Sequence, residues 1–368
     1  MAVVLGLAAG QVPAHAGTIT FAPKADSPTG GRFPSWGPGP SPIGMVTADF
    51  DGDRVPDIVT ADFQGSGPVL MTGKGDGTFN KGVRVADIGI GYGAVSAGDL
   101  NGDGKPDLAA QSWVTMSTLL NNGDGTFRKA ATYATLEGAQ QQVAVLDVDG
   151  DGRRDVLSMI PNGVRTWLGK GDGTLAPGPS STIAGVSAAF TTGRFNADGA
   201  VDLAINNDLL QRVEVFTGNG DGGFTRRGTG TSGFITEDIR AGDFDGDGID
   251  DIITADSFSF STTLLTSDGR GGFSRTHRVL ASGFGPTSIA VADFDKDGRL
   301  DAAMSAVVSS TMVVFTGKGD GTVAKTGEHP VTFAPQTPVV ADYDGDGRTD
   351  VAVAGAANAV SFLRNVTS

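Results

Sequence analysis

Short runs of small and β-branched residues alternate with glycine- and aspartate-rich turns along almost the whole of this 368-residue chain. Residues 286–333 show one unit. A run PTSIAVA (286–292) leads into an acidic turn, and Asp301–Ala306 follows. Then come TMVVFT (311–316), a Gly-Asp-Gly turn to residue 323, and a last run ending at Phe333. Apolar runs this short, bounded by turn residues, predict four antiparallel strands, and no stretch carries the longer period of an amphipathic helix. The acidic turn recurs at positions 49, 99, 147, 194, 243, 293 and 342. Seven four-stranded units at a nearly fixed period predict an all-β, seven-bladed propeller, one blade per repeat around a central channel.

The details agree with a ring. First strands end in small pairs such as Thr47-Ala48, Ala97-Gly98, Ala241-Gly242, Val291-Ala292 and Val340-Ala341, suited to crowding near an axis. A linear solenoid would need polar terminal caps. Instead the last repeat stops at Ser368, one strand short, while Thr18–Ala22 precedes the first repeat. The N-terminal strand is therefore expected to complete the last blade and remove an exposed sheet edge. Residues 17–368 read as a single domain.

A second turn recurs as GKGDGTF (73–79) and its counterparts ending at Phe127, Leu175, Phe224, Phe273 and Val323. Its glycines supply positive φ and its Asp caps its own backbone, which makes it a hairpin turn rather than a metal site.

The acidic turns carry the chemistry. Six are intact, with carboxylates or an Asn at positions 1, 3, 5 and 9 and a main-chain carbonyl available at position 7. The first offers Asp49, Asp51, Asp53, Val55 and Asp57, and the second Asp99, Asn101, Asp103, Lys105 and Asp107. The third offers Asp147, Asp149, Asp151, Arg153 and Asp155; the fifth, Asp243, Asp245, Asp247, Ile249 and Asp251. The sixth and seventh offer Asp293, Asp295, Asp297, Arg299 and Asp301, then Asp342, Asp344, Asp346, Arg348 and Asp350. Short side chains at alternate positions of a tight turn aim hard oxygens at one centre. Such a set favours Ca²⁺, with Mg²⁺ second and the nitrogen- and sulfur-seeking metals disfavoured. Metal-free Asx turns are the plain alternative, but six copies of clustered, mutually repelling carboxylates weigh against it.

Turns such as DFDGDGIDD (243–251), together with GKGDGTF, give the chain its family likeness. It resembles the FG-GAP (VCBS-type) repeat family, whose best-known members are the propellers of integrin α-chains. The resemblance covers residues 18–368. It implies Ca²⁺ between the first and second strands of a blade, held at positions matching Asp49, Asp51, Asp53 and Asp57 and their counterparts. Two departures stand out. Arg54 replaces the usual glycine of the first turn. In the fourth, Arg194 replaces the first Asp, and its guanidinium is expected to stand in for the cation and pair with Asp198 and Asp202. Six Ca²⁺ sites are therefore expected.

Composition sharpens this picture. The seven turns hold, at these positions, 25 of the 42 acidic residues, and the formal net charge is −15. Six divalent cations would bring it close to neutrality. A nucleic-acid partner is excluded for want of any basic stripe. With no cysteine there are no disulfides or thiolate sites. Ala2–Ala9 is apolar, and Ala14-His15-Ala16 resembles a signal-cleavage site, so residues 1–16 read as a secretion signal. The missing basic segment would place its start upstream of Met1. No run reaches the ~20 apolar residues of a membrane span. A secreted monomer is expected.

The faces of a propeller divide the remaining candidates. The 2–3 and 4–1 connections, opposite the acidic turns, are irregular and carry Trp36, Phe63, Tyr92, Trp113, Phe234, Phe258, Phe260 and Phe284. Such loops suit recognition of a glycan or an extracellular protein; inter-blade packing is the alternative for each aromatic. Glu237, Asp238 and Arg240 fall on the innermost strand of blade five, as an ion pair or a channel-mouth site. A polysaccharide lyase-type enzyme on the same propeller is the alternative function. Its base would come from His277, His329, Tyr92, Tyr133 or Tyr343, of which only Tyr92 is placed at a channel mouth, and no triad, phosphate loop or zinc motif is present.

Overall fold

A computed structural model of the chain describes residues 18–29, 44–61, 67–89, 91–112, 114–135, 142–280, 285–355 and 359–368. It contains seven four-stranded antiparallel sheets. Their first strands are Met45–Ala48, Tyr92–Gly98, Val143–Leu146, Ser187–Gly193, Thr236–Gly242, Pro286–Ala292 and Pro335–Ala341. The first strand of blade seven touches those of both blade six and blade one, so the row of sheets returns on itself. The protein is a seven-bladed propeller.

Burial follows strand order. Second strands such as Asp251–Asp256 are buried at every position, whereas fourth strands such as Phe273–Leu280 alternate between half-buried and exposed. The core is therefore divided among the blade interfaces. Phe244, Ile253 and Leu264 of blade five, for example, pack against Ile289, Met304 and Phe315 of blade six. The residue at position 2 of every acidic turn (Phe50, Leu100, Val148, Phe195, Phe244, Phe294, Tyr343) is at most 4 % exposed. Each plugs the seam beneath its turn, and burying such a side chain contributes about 2–3 kcal/mol.

A recurrent hydrogen bond joins neighbouring blades. The glycine of one blade's 3–4 turn donates its amide to the position-2 carbonyl of the preceding blade's acidic turn. This holds for Gly125 to Phe50 (3.1 Å), Gly173 to Leu100 (3.0 Å), Gly271 to Phe195 (3.1 Å), Gly321 to Phe244 (3.2 Å) and Gly77 to Tyr343 (3.2 Å). Blade seven lacks that turn, and there Asn365 Nδ2 donates to the Phe294 carbonyl at 2.7 Å instead.

The outer strand of blade seven differs from the expected one. It is Ala25–Pro28, paired with Ala359–Leu363 from Ala25↔Phe362 to Pro28↔Ala359. The expected strand, Thr18–Ala22, makes only an isolated Phe21↔Asn365 bridge within a short backbone pairing from Thr20 to Ala22. Pro23, which has no amide to donate, separates the two pieces.

Candidate functional site

Each acidic turn is first organised by its own backbone. Asp49 Oδ1 and Oδ2 accept the amides of Gly52 (2.7 Å) and Arg54 (2.9 Å), and Asp147 and Asp243 repeat this on the glycines of their turns. Asp at position 5 accepts the amide of position 7, as Asp53 does from Val55 at 2.8 Å. Glycine serves positions 4 and 6 because the chain there turns left-handed, with φ of +84° at Gly52 and +79° at Gly246. Arg54 and Lys296 replace such glycines at φ +72° and +58°, which strains those two turns.

Position 9 has a structural role beside the ligand role read in the sequence. Asp57 is fully buried, and its two oxygens accept the amides of Phe50 and Gly73, both at 2.8 Å. Asp107, Asp155, Asp202, Asp251, Asp301 and Asp350 repeat this arrangement. The residue staples the turn to the end of the third strand while lying against the other carboxylates.

Several of these turns can hold a metal ion. In five, one oxygen from each of three carboxylates lies within 4.8 Å of the other two. The trios are Asp49–Asp51–Asp53, Asp147–Asp149–Asp155, Asp243–Asp245–Asp251, Asp293–Asp295–Asp297 and Asp342–Asp344–Asp350. The turn opened by Asp99 is not among them. Its position 3 is Asn101, whose amide donates to Asp103 Oδ2 at 3.3 Å. Buried oxygens without a hydrogen-bond donor, Asp295 Oδ2 and Asp342 Oδ1, fit an ion rather than a closed Asx network. The electrostatics agree. Burial first, then the neighbouring carboxylates, push Asp251 and Asp301 up to about 7 and Asp57, Asp107 and Asp350 up to about 6. Burial outweighs the two amides that favour the charged form.

The fourth turn corrects one expectation. Among the described residues no ion pair joins Arg194 to Asp198 or Asp202; Asp202 is occupied by the Phe195 and Gly218 amides. Instead the Arg194 amide donates to Asp250 Oδ2 (2.7 Å), and the Asp250 amide donates to the Arg194 carbonyl (2.8 Å). The seam to blade five is closed by backbone and one carboxylate.

The opposite face is built differently. A cavity of about 240 Å³ lies on the axis, lined by first-strand residues of every blade, including Gln142, Glu237, Asp238, Arg240, Thr287 and Gln336. A register shift between Thr236 and Asp238 makes Glu237 the extra residue of a bulge, which re-aims its side chain. Asp238 Oδ2 accepts Ser288 Oγ (2.6 Å) and the Ile289 amide (3.0 Å) and pairs with Arg240 Nη2 (3.0 Å). Among the described residues Glu237 has no such cation. Burial, with Asp208 and Asp238 nearby, pushes it up to about 7.

On the connections of the same face, the Phe234 and Phe258 rings meet edge to face with centroids 6.0 Å apart, and they are 48 % and 62 % exposed. Phe234 takes a bond from the Phe258 amide (3.2 Å) and gives one to Ser259 Oγ (3.1 Å). Ile235 and Phe260 flank them at φ +52° and +49°. Beneath lies fully buried Asp256, bonded by the hydroxyls of Thr236, Thr254, Ser261 and Thr263. Sequence reasoning passed over this network because Ser and Thr on a strand read as ordinary strand residues. Trp36, Phe63, Trp113 and Phe284 lie outside the described residues, as do the Tyr92 side chain and residues 1–16.

The remaining candidate bases are engaged in structure. The Tyr133 hydroxyl accepts the Leu175 amide at 2.6 Å, and Tyr343 is buried under its turn. His329 packs edge-on against Phe21, and His277 Nε2 lies 3.2 Å from the Val323 carbonyl. Among the described residues no helix is long and apolar enough to cross a membrane.

No curated protein sequence matches the chain. Among solved structures, one described as recognition of non-reducing terminal N-acetylglucosamine by an Agrocybe aegerita lectin is 17% identical, with a TM-score of 0.54 over 85% of this chain and 86% of that one. A second, BBS1N in complex with ARL6DN, is 10% identical, with a TM-score of 0.64 over 95% and 97%. At such identities the likeness is one of fold. The FG-GAP-like repeat model matches residues 49–110, 99–158, 147–205 and 194–254, in each case spanning successive acidic turns and together more than half of the chain. With four consecutive matches and seven blades bearing the same turn, the chain belongs to the FG-GAP-like repeat family.

Proposed function

We propose that this protein is a secreted recognition module, stabilised by Ca²⁺ in its acidic turns, that takes a glycan on the face opposite them. One observation carries the reading. Of the twelve exposed large hydrophobics among the described residues, nine (Val114, Val186, Leu209, Leu210, Phe234, Phe258, Phe260, Val308 and Phe333) fall on the 2–3 and 4–1 connections. Apolar groups gathered on one face around a polar mouth mark an interaction surface. Exposed rings on the face that bears Glu237, Asp238 and Arg240 match the chemistry of a sugar, with an apolar ring face and hydroxyls at its edge. The lectin among the similar folds is consistent with a glycan ligand.

Ca²⁺ is favoured because every donor in the turns is a hard oxygen. Such modules bind at about 10⁻⁴–10⁻³ M, which suits an extracellular setting and the composition of residues 1–16. A glycan array tests the reading, run with and without EGTA on the wild type and on a Phe234→Ala/Phe258→Ala variant. Saccharide binding that the variant loses supports it. Binding unchanged by the double variant, or no saccharide bound in calcium, overturns it.

A further inference from the structure

Five of the six intact turns carry the same four acids, the second having Asn101 at position 3, but the turns differ in what neutralises them. In every one, position 5 accepts the position-7 amide, at 2.8–3.0 Å. The position-7 side chain therefore leaves the backbone beside the position-5 carboxylate. Where it is basic, its charge returns to the second oxygen of that carboxylate. Lys105 reaches Asp103 Oδ2 at 3.7 Å, Arg299 reaches Asp297 Oδ2 at 3.4 Å and Arg348 reaches Asp346 Oδ2 at 3.0 Å. Arg153 closes on Asp151 in the same way. Blade seven carries a second arginine, Arg364, 2.5 Å from Asp344 and 3.5 Å from Asp346. In blades one and five the residue is Val55 or Ile249. Among the described residues no Lys or Arg lies within ion-pair distance of Asp49, Asp51, Asp53, Asp243, Asp245 or Asp247, while Arg275 acts on Asp245 from further off.

We infer that the position-7 side chain ranks the five clustered turns by cation affinity, making those of blades one and five the tight sites and that of blade seven the weakest. The inference rests on the reading that the turns hold a divalent cation. An internal guanidinium occupies a ligand oxygen and places a positive charge within a few ångströms of the incoming ion. The ion must displace that group or share its carboxylate. Coulomb repulsion of this kind at a solvent-facing site weakens binding by about tenfold.

Isothermal titration of CaCl₂ into chelator-stripped, full-length protein tests the ranking, with near-UV circular dichroism confirming the fold of each variant. The wild type is expected to show about two tight sites and a weaker class. Ile249→Arg should remove one tight site, and Arg299→Met should move one weak site into the tight class, each shift being about tenfold. Sites of a single affinity, or a tight class left unchanged by both variants, would overturn the ranking. No calcium uptake at all would overturn the cation reading beneath it, a distinguishable result.

Discussion

The Gly77 amide donates to the Tyr343 carbonyl at 3.2 Å, tying the 3–4 turn of blade one to the acidic turn of blade seven. This contact closes the seam between the two ends of the repeat array, and it reuses the bond found at other seams. A Cβ at Gly77 would stand 2.0 Å from Phe362 Cε1 and would require φ of +80° from a residue other than glycine. Gly77→Ala is therefore expected to cost about 2–4 kcal/mol. Gly102→Ala, at φ +77° with nothing within 4 Å, should cost only about 1 kcal/mol. Urea unfolding of the two variants checks the contrast.

Removing divalent cations should loosen the whole ring, because the acidic turns lie at the seams. If free calcium is ten times Kd, each occupied site contributes about 1.4 kcal/mol. The expected outcome is a melting temperature that falls markedly in EGTA and recovers on calcium addition. A thermogram indifferent to EGTA would remove calcium from the account.

Two aspartates of one turn should respond in opposite ways. Asp251 is buried and accepts the amides of Phe244 (3.0 Å) and Ser267 (2.9 Å), so Asp251→Ala strands two donors and should destabilise by about 3 kcal/mol with or without cation. Asp245 is raised first by burial and then by Asp247 and Asp243. Asp245→Asn should slightly stabilise the chelated protein while lowering the calcium stoichiometry by one. Melts of both variants in EGTA and in calcium separate the roles.

Glu237 gives a pH dependence of defined sign. It is pushed up to about 7, above its ordinary 4.5, by burial first and then by Asp208 and Asp238. The unfolded chain releases this proton near the ordinary value and the folded chain only near 7. Its contribution to stability is thus fully present below pH ~4.5 and lost as pH rises to ~7. Discounted for partial exposure, the loss is about 1–2 kcal/mol. Glu237→Gln should flatten this part of the profile and be the more stable protein at pH 8, as measured by denaturant midpoints in EGTA.

Seven blades and the acidic turns were legible because each rests on local chemistry repeated seven times: Gly where φ is positive, Asp where an oxygen is needed, short β-branched runs between. What escaped depends on contacts between repeats. The Asp251 staple, the Gly125–Phe50 bond and the Asn365 side chain that replaces it in blade seven all join residues distant in sequence. So does the Arg194–Asp250 pair, where a plausible local pairing with Asp198 yielded to the neighbouring blade. The outer strand of blade seven runs past the expected Thr18–Ala22 to Ala25–Pro28, beyond the break at Pro23.

That outer strand has a consequence for biogenesis. Ala25–Pro28 is synthesised long before its partner, Ala359–Leu363. During synthesis the nascent array therefore waits with an unsealed rim, and the first-made strand must be held in reserve until its mate emerges. A cell making this protein must shield that rim from neighbouring chains, and folding yield should depend more on the delay before sealing than on the strength of any single blade.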